Sequence, residues 1–154
     1  MFVMKKKAKI IIASFHWGIE KEYYPEARQK NLGRCAINSG ASLVLGHHPH
    51  RLQGIEKYKG RYIVYSLGNF CFGGHTNPDD KDSMIFQQTF YVKNGKLLKN
   101  NDAKVIPCSI SSVSYTNNFQ PTVLKGNSKK RVLNKINKLS KGMNASFKSN
   151  GKNR

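Results

Sequence analysis

Four of the five histidines in this 154-residue chain fall into two short groups, His16 alone and then His47-His48-Pro49-His50. Imidazole ligates Zn²⁺, Mn²⁺ and Fe ions and also moves protons near neutral pH. Residues two apart on an extended segment point the same way, so His48 and His50 are expected to grip one site together. Pro49 between them stiffens the loop and sets its spacing. The competing reading is a loop of surface histidines that bond backbone carbonyls.

Those groups need elements to carry them. Residues 9–14 read as a strand buried on both faces of a parallel sheet, because Ile10, Ile11 and Ile12 are contiguous and β-branched. A helix is expected from Tyr24-Pro25, with Pro25 in its first turn, to about Asn38, closing at Gly40. Residues 42–45 form a second buried strand that runs through Gly46 into the histidine cluster. In such a β–loop–α–β unit, ligands sit beyond the carboxyl ends of the strands, so both histidine groups land on one sheet edge.

The remainder reads as antiparallel. Residues 52–58 and 61–66 make a hairpin about Lys59-Gly60, and residues 84–92 and 96–106 make another about Asn94-Gly95. Asn127 or Ser128 is expected to cap a last helix whose Val132, Leu133, Ile136, Leu139 and Met143 share a face. The domain is expected over residues 1–144, with a basic disordered tail over 145–154.

The chain carries 27 Lys and Arg against 8 Asp and Glu, a formal net charge of +19. All eight acids lie between Glu20 and Asp102, and no acid follows. One reading is a polyanionic partner such as nucleic acid, an anionic polymer or a membrane surface, and a phosphorylated substrate is also expected. The other is compositional drift towards Lys and Asn on a solvated face. Lysine dominates the basic set and no nucleic-acid recognition motif frames the few arginines. Cys35, Cys71 and Cys108 form no C-x-x-C pair, which excludes a zinc knuckle, and they are expected to be buried small hydrophobes. No apolar run approaches the ~20 residues of a membrane helix, and no signal-peptide core is present within these residues.

Several motifs stand in a recognisable order: His16-Trp17-Gly18-x-Glu20, Pro25 with Gln29, the 40–46 segment leading into His47-His48-Pro49-His50, Glu56, and Tyr65-Ser66-Leu67-Gly68-Asn69-Phe70. Their order and spacing resemble the CapA family of poly-γ-glutamate capsule synthesis proteins, which is similar in turn to the calcineurin-like metallophosphoesterases. The resemblance spans residues 9–140 and is specific from His16 to Phe72. It implies an α/β fold, a calcineurin-like sandwich in which helices flank two β-sheets, with divalent metal ions (Mn, Zn or Fe, two in the complete protein) at the strand ends. On the matching positions, His16, His48 and His50 would be metal ligands, and His47 and His48 the catalytic proton donors. Which of His47, His48 and His50 touches metal is left open by the sequence. Glu20, Glu56 and Asn69 would orient a histidine or meet the substrate. Family members are often associated with the cell envelope.

The departure from the family pattern is equally informative. Two divalent ions ~3.5–4 Å apart repel strongly unless a carboxylate bridges them. This chain has no Asp before Asp79 and no Gly-Asp motif ahead of His16. A C-terminal fragment, completed by an N-terminal half that supplies the carboxylates, is therefore expected. The complete protein would be a metal-dependent, phosphoesterase-like hydrolase, and the chain alone would be inactive. The alternative is a non-catalytic basic module that binds polyglutamate or nucleic acid and retains vestigial histidines.

Overall fold

In a computed structural model, residues 7–98 and 102–148 are described. Their order is β1 (Ile12–His16), α1 (Ala27–Asn38), β2 (Leu43–His47), β3 (Ile55–Tyr58), β4 (Arg61–Val64), β5 (Asp82–Gln88), β6 (Val92–Lys93), β7 (Lys96–Leu97), β8 (Ala103–Ser109), β9 (Thr122–Val123) and α2 (Gly126–Leu139). A four-stranded sheet runs β1-β2-β4-β3, and a three-stranded sheet runs β5-β8-β9. β1, β2 and β4 are parallel, and β3 returns antiparallel.

Alternation along the strands sorts the core into two clusters. Val44, Ile63 and Tyr65 pack on one face against Ala36 and Ile37 of α1, with Trp17 beside them. Leu43, Tyr62 and Val64 face the other way, onto Met84 and Val105 of the second sheet and onto Val132, Leu133 and Ile136 of α2. The result is a mixed α/β arrangement of helix, sheet and sheet, with α2 closing one side. No helix among the described residues is long and apolar enough to cross a membrane.

The structure corrects several expectations. β1 starts at Ile12 rather than Lys9 and is an edge strand, with Ile12 52% exposed. The second cluster holds no β1 residue, because the facing sheet packs over β2 and β4 and stops short. Helix α1 starts after Glu26, whose N–H donates to Gln29 Oε1 at 2.9 Å, so Pro25 lies just outside the first turn. Asn94-Gly95 turns only the short β6–β7 pair, while the long partner of β5 is β8. Helix α2 begins at Gly126 on Lys125, without a side-chain cap from Asn127 or Ser128. Cys35 and Cys71 are exposed and only Cys108 is buried.

The expected tail is anchored where it begins. Phe147 is 3% exposed, packs against Tyr62 and Phe86, and exchanges two hydrogen bonds with the Asn137 amide. One aromatic ring buries enough apolar area to order a short polar segment. The rest of the expected tail, residues 149–154, lies outside the described residues.

Candidate metal centre at the ends of the parallel strands

The β1–β2 register pairs His16 directly with His47, so both histidine groups do reach the same carboxyl edge. Two contacts of Trp17 hold that edge. Its N–H donates to His47 O at 3.1 Å, and its indole Nε1 crosses β2 to donate to Tyr65 O at 2.9 Å. Gly46 makes the crossing possible: a Cβ there would stand 2.4 Å from the indole nitrogen and 2.1 Å from Tyr65 O.

Beyond β2 the chain curls instead of extending. His48 has φ 99° and His50 φ 58°, both in the left-handed region that side chains seldom occupy, with Pro49 buried between them. The two rings converge through this curl, which corrects the expectation of an extended segment. Such backbone strain persists only where surrounding contacts hold it. One such contact is from Lys21, whose N–H donates to Pro49 O at 2.8 Å and ties the 16–21 loop to the histidine loop.

That tie brings in Glu20. One ligand atom from each of Glu20, His48 and His50 lies within 4.8 Å of the others. The His16 ring leans on His48 with centroids 4.5 Å apart, and the His48 and His50 centroids are 5.9 Å apart. Asn69 Oδ1 sits 2.8 Å from His50 Nδ1. A carbonyl oxygen there calls for an Nδ1–H, which leaves the Nε2 lone pair free for a ligand bond. His47 lines the groove between the sheets, together with Leu45, Leu67 and Phe86.

Glu56 is elsewhere. It is buried on the α1 face of the sheet, where Arg34 of α1 pairs with it at 2.8 Å and Tyr65 OH donates to it at 2.5 Å. Burial first, and this hydrogen bond second, push the Tyr65 phenol well above its ordinary pKa. Glu56 therefore steadies α1 against β3 and β4 and orients no histidine.

Two buried amides support the site: Gln29, already part of the Pro25–Gln29 motif, and Gln53, which no motif announces. Gln29 Nε2 donates to Gln53 Oε1 at 2.9 Å, and Gln53 Nε2 donates to Glu22 O at 3.1 Å. Gly18, at φ +84°, lies flat on the Gln29 amide, where a Cβ would come within 2.8 Å. The loop that carries His16 and Glu20 is thus seated on a satisfied polar pair.

The donor set suits one divalent ion. Two imidazoles and one carboxylate match Zn²⁺, Mn²⁺ or Fe²⁺ chemistry, and a charged oxygen offsets part of the ion's charge. A second ion would lack a bridging carboxylate among the described residues.

Part of the chain, this edge included, is similar to known proteins. Residues 3–74 match the bacterial capsule synthesis protein PGA_cap family. The chain is 45% identical over 84 residues to a PGA biosynthesis protein CapA of Bacillus subtilis, which covers 54% of this chain and 22% of that protein. It is 42% identical over 84 residues to a capsule biosynthesis protein CapA of Bacillus anthracis, covering 54% of this chain and 20% of the relative. A probable polyglutamine synthesis accessory protein of Mycobacterium tuberculosis is 32% identical over 112 residues, covering 70% of this chain and 29% of the relative. The chain thus spans less than a third of the length of each of these relatives.

Proposed function

From a chain whose residues 3–74 match the capsule synthesis PGA_cap family, we propose that it supplies the histidine-bearing part of a CapA-like metal centre working in capsule or poly-γ-glutamate synthesis. The observation that carries this reading is the convergence of Glu20, His48 and His50. Helix, sheet and facing sheet also layer in the order a calcineurin-like sandwich requires, which supports that finer assignment.

Glu20, His48 and His50 would hold the ion, with His16 beside them as the candidate ligand nearest His48. A divalent ion bound there would supply Lewis-acid polarisation of a phosphoryl or acyl-phosphate oxygen. The chain's own residues do the rest. Asn69 fixes the His50 tautomer, and His47 stands at the groove mouth as the donor of a proton to a leaving group. A second ion and its bridging carboxylate would come from a complementing N-terminal half. The outer edge of β1, unpaired among the described residues and carrying exposed Ile12, is the place on this chain where that half would join.

Metal titration of the purified chain tests the centre. Wild type is expected to bind Mn²⁺ or Zn²⁺ saturably, and Glu20→Gln, His48→Ala and His50→Ala to lose it. Asn69→Ala should weaken affinity by ~10–100-fold, the usual cost of losing a ligand's outer partner. A wild-type chain that retains no Mn, Zn or Fe above background sinks the assignment.

A further inference from the structure

Beyond His50 lies a cavity of about 480 Å³ that adjoins the groove between the sheets and shares His50, Asn69 and Phe72 with it. His50, Asn69 and Glu20 form one wall, so it opens directly onto the candidate metal centre. Arg51, Lys21 and His75 line the remainder together with Asp79 and Asp80. His75 is the one histidine outside the two strand-end groups.

Arg51 is the unusual group. Its side chain is only 14% exposed, and its guanidinium lies over the Tyr23 ring at 4.7 Å, which fixes the plane of the fork. Its acid partner is Asp79, held through a single Nη2···Oδ2 contact of 2.5 Å although the Asp79 side chain is 77% exposed. A guanidinium edge can offer a carboxylate two parallel N–H bonds. Here a half-used, half-buried, oriented fork is closed off by an exposed carboxylate that the Asp79 and Asp80 backbone N–H groups also hold.

The neighbouring groups point the same way. Asp80 also lines the cavity but is already taken by Lys135 at 2.8 Å and Tyr23 at 3.0 Å. Lys21 has its backbone locked at φ 65° by the bond to Pro49 O, and among the described residues its ammonium makes no ion pair. Asn77 N–H donates to His75 Nδ1 at 3.0 Å, which places the ring proton of the neutral imidazole on Nε2 as a donor.

We infer that this cavity is a carboxylate subsite, anchored by Arg51 and rimmed by Lys21 and His75, in which Asp79 occupies the place of the ligand until a carboxylate displaces it. The inference rests on the reading of Glu20, His48 and His50 as the reacting centre, because the subsite would hold an acidic chain with its reacting group at His50. The ligand class is an acidic, glutamyl-type chain, because the group now seated on the fork is itself a carboxylate; a guanidinium pairs with phosphate as readily, so phosphate is the rival to test.

Calorimetric titration with a short γ-linked glutamate oligomer, at constant ionic strength, tests it, with inorganic phosphate as the rival ligand. Wild type should bind the oligomer saturably, and Arg51→Gln should weaken binding by about tenfold or more. Asp79→Asn should tighten it by roughly threefold to fivefold, since an exposed ion pair competes only weakly. Lys130→Gln, on the exposed face of α2, should leave it unchanged. The opposite signs at Arg51 and Asp79 are the discriminating result, because a merely structural ion pair predicts loss from both changes. Equal weakening by Arg51→Gln and Lys130→Gln, weaker binding in Asp79→Asn, tighter binding of phosphate than of oligomer, or no saturable wild-type binding would each overturn the subsite. Mn²⁺ binding is read in parallel, and the oligomer titration is repeated after chelation. Retained metal with no oligomer binding removes the subsite alone, whereas loss of metal binding removes the centre it serves.

Discussion

The two edges of the four-stranded sheet are finished in opposite ways. Along β3, the end of α2 and the segment after it close the strand: Ile55 N–H donates to Ser140 Oγ at 2.9 Å, and Lys57 N–H donates to Met143 O at 2.8 Å. Along β1 nothing comparable happens among the described residues. Ile11 O and Trp17 N bond towards β2, so alternation directs the main-chain groups of Ile12, Ser14 and His16 outward. An unpaired edge is ordinarily a template for association, and proteins cover or interrupt it. Among the described residues, the edge far from the histidines is covered and the one that carries His16 is open. Stability and chemistry are thereby assigned to different sides of one sheet.

The sharpest way to break that contrast is at the closed side. Ile136 of α2 is fully buried in the cluster that joins α2 to both sheets. Ile136→Ala should cost ~2–5 kcal/mol in urea denaturation, the range for buried large-to-small changes. A loss indistinguishable from a surface change would show that α2 does not hold the sheet.

A smaller effect should come from acid. The Asp82 carboxylate is buried, which would raise its pKa, but hydrogen bonds from Arg131 and then Lys135 outweigh this and hold it below the ordinary carboxylate range. A depressed folded-state pKa contributes stability that is fully present above the unfolded value of ~3.9 and is lost as pH falls through the folded value. Melting temperature should therefore drop on the acid side of pH ~4. Asp82→Asn should lower the neutral-pH melting temperature and flatten that acid limb; an acid limb of unchanged steepness would contradict the assignment.

The smallest effect is expected at the open edge. Ile12→Lys should change stability by no more than ~0.5 kcal/mol, as for surface positions without special contacts. In hydrogen exchange, the amides of Ile12, Ser14 and His16 should exchange quickly while those of Ala13 and Phe15 stay protected. Uniform protection along β1 would mean that its outer edge is covered after all.

Much of this was legible in the sequence because it depends on period and order. Contiguous apolar residues before Gly46, and a helix between two short strands, are enough to put His16 and His47 on one edge. The apolar spacing Val132, Leu133, Ile136 and Leu139 identifies the buried face of α2, which the structure retains. Other features depend on residues distant in the chain. Ile10–Ile12 reads as a doubly covered strand, but coverage is decided by how far the second sheet extends, and it stops at β2. Glu20 and Glu56 look equivalent in the sequence. One is carried to His48 and His50 by the Lys21–Pro49 bond, and the other is claimed by Arg34 from a helix whose facing residues no local pattern specifies.

By itself, then, the sequence determined the chemical repertoire and its place: imidazoles at the carboxyl ends of two parallel strands, few acids, and a match over residues 3–74 to a capsule synthesis family. Local alternation and chain order suffice for that, because each acts over a few residues. The tertiary structure alone decided which acid joins the histidines, which edge stays open, and that Arg51 meets Asp79 across 28 residues. Those outcomes turn on left-handed φ values at His48 and His50 and on hydrogen bonds between segments far apart in the chain, and neither leaves a periodic trace in the order of the amino acids.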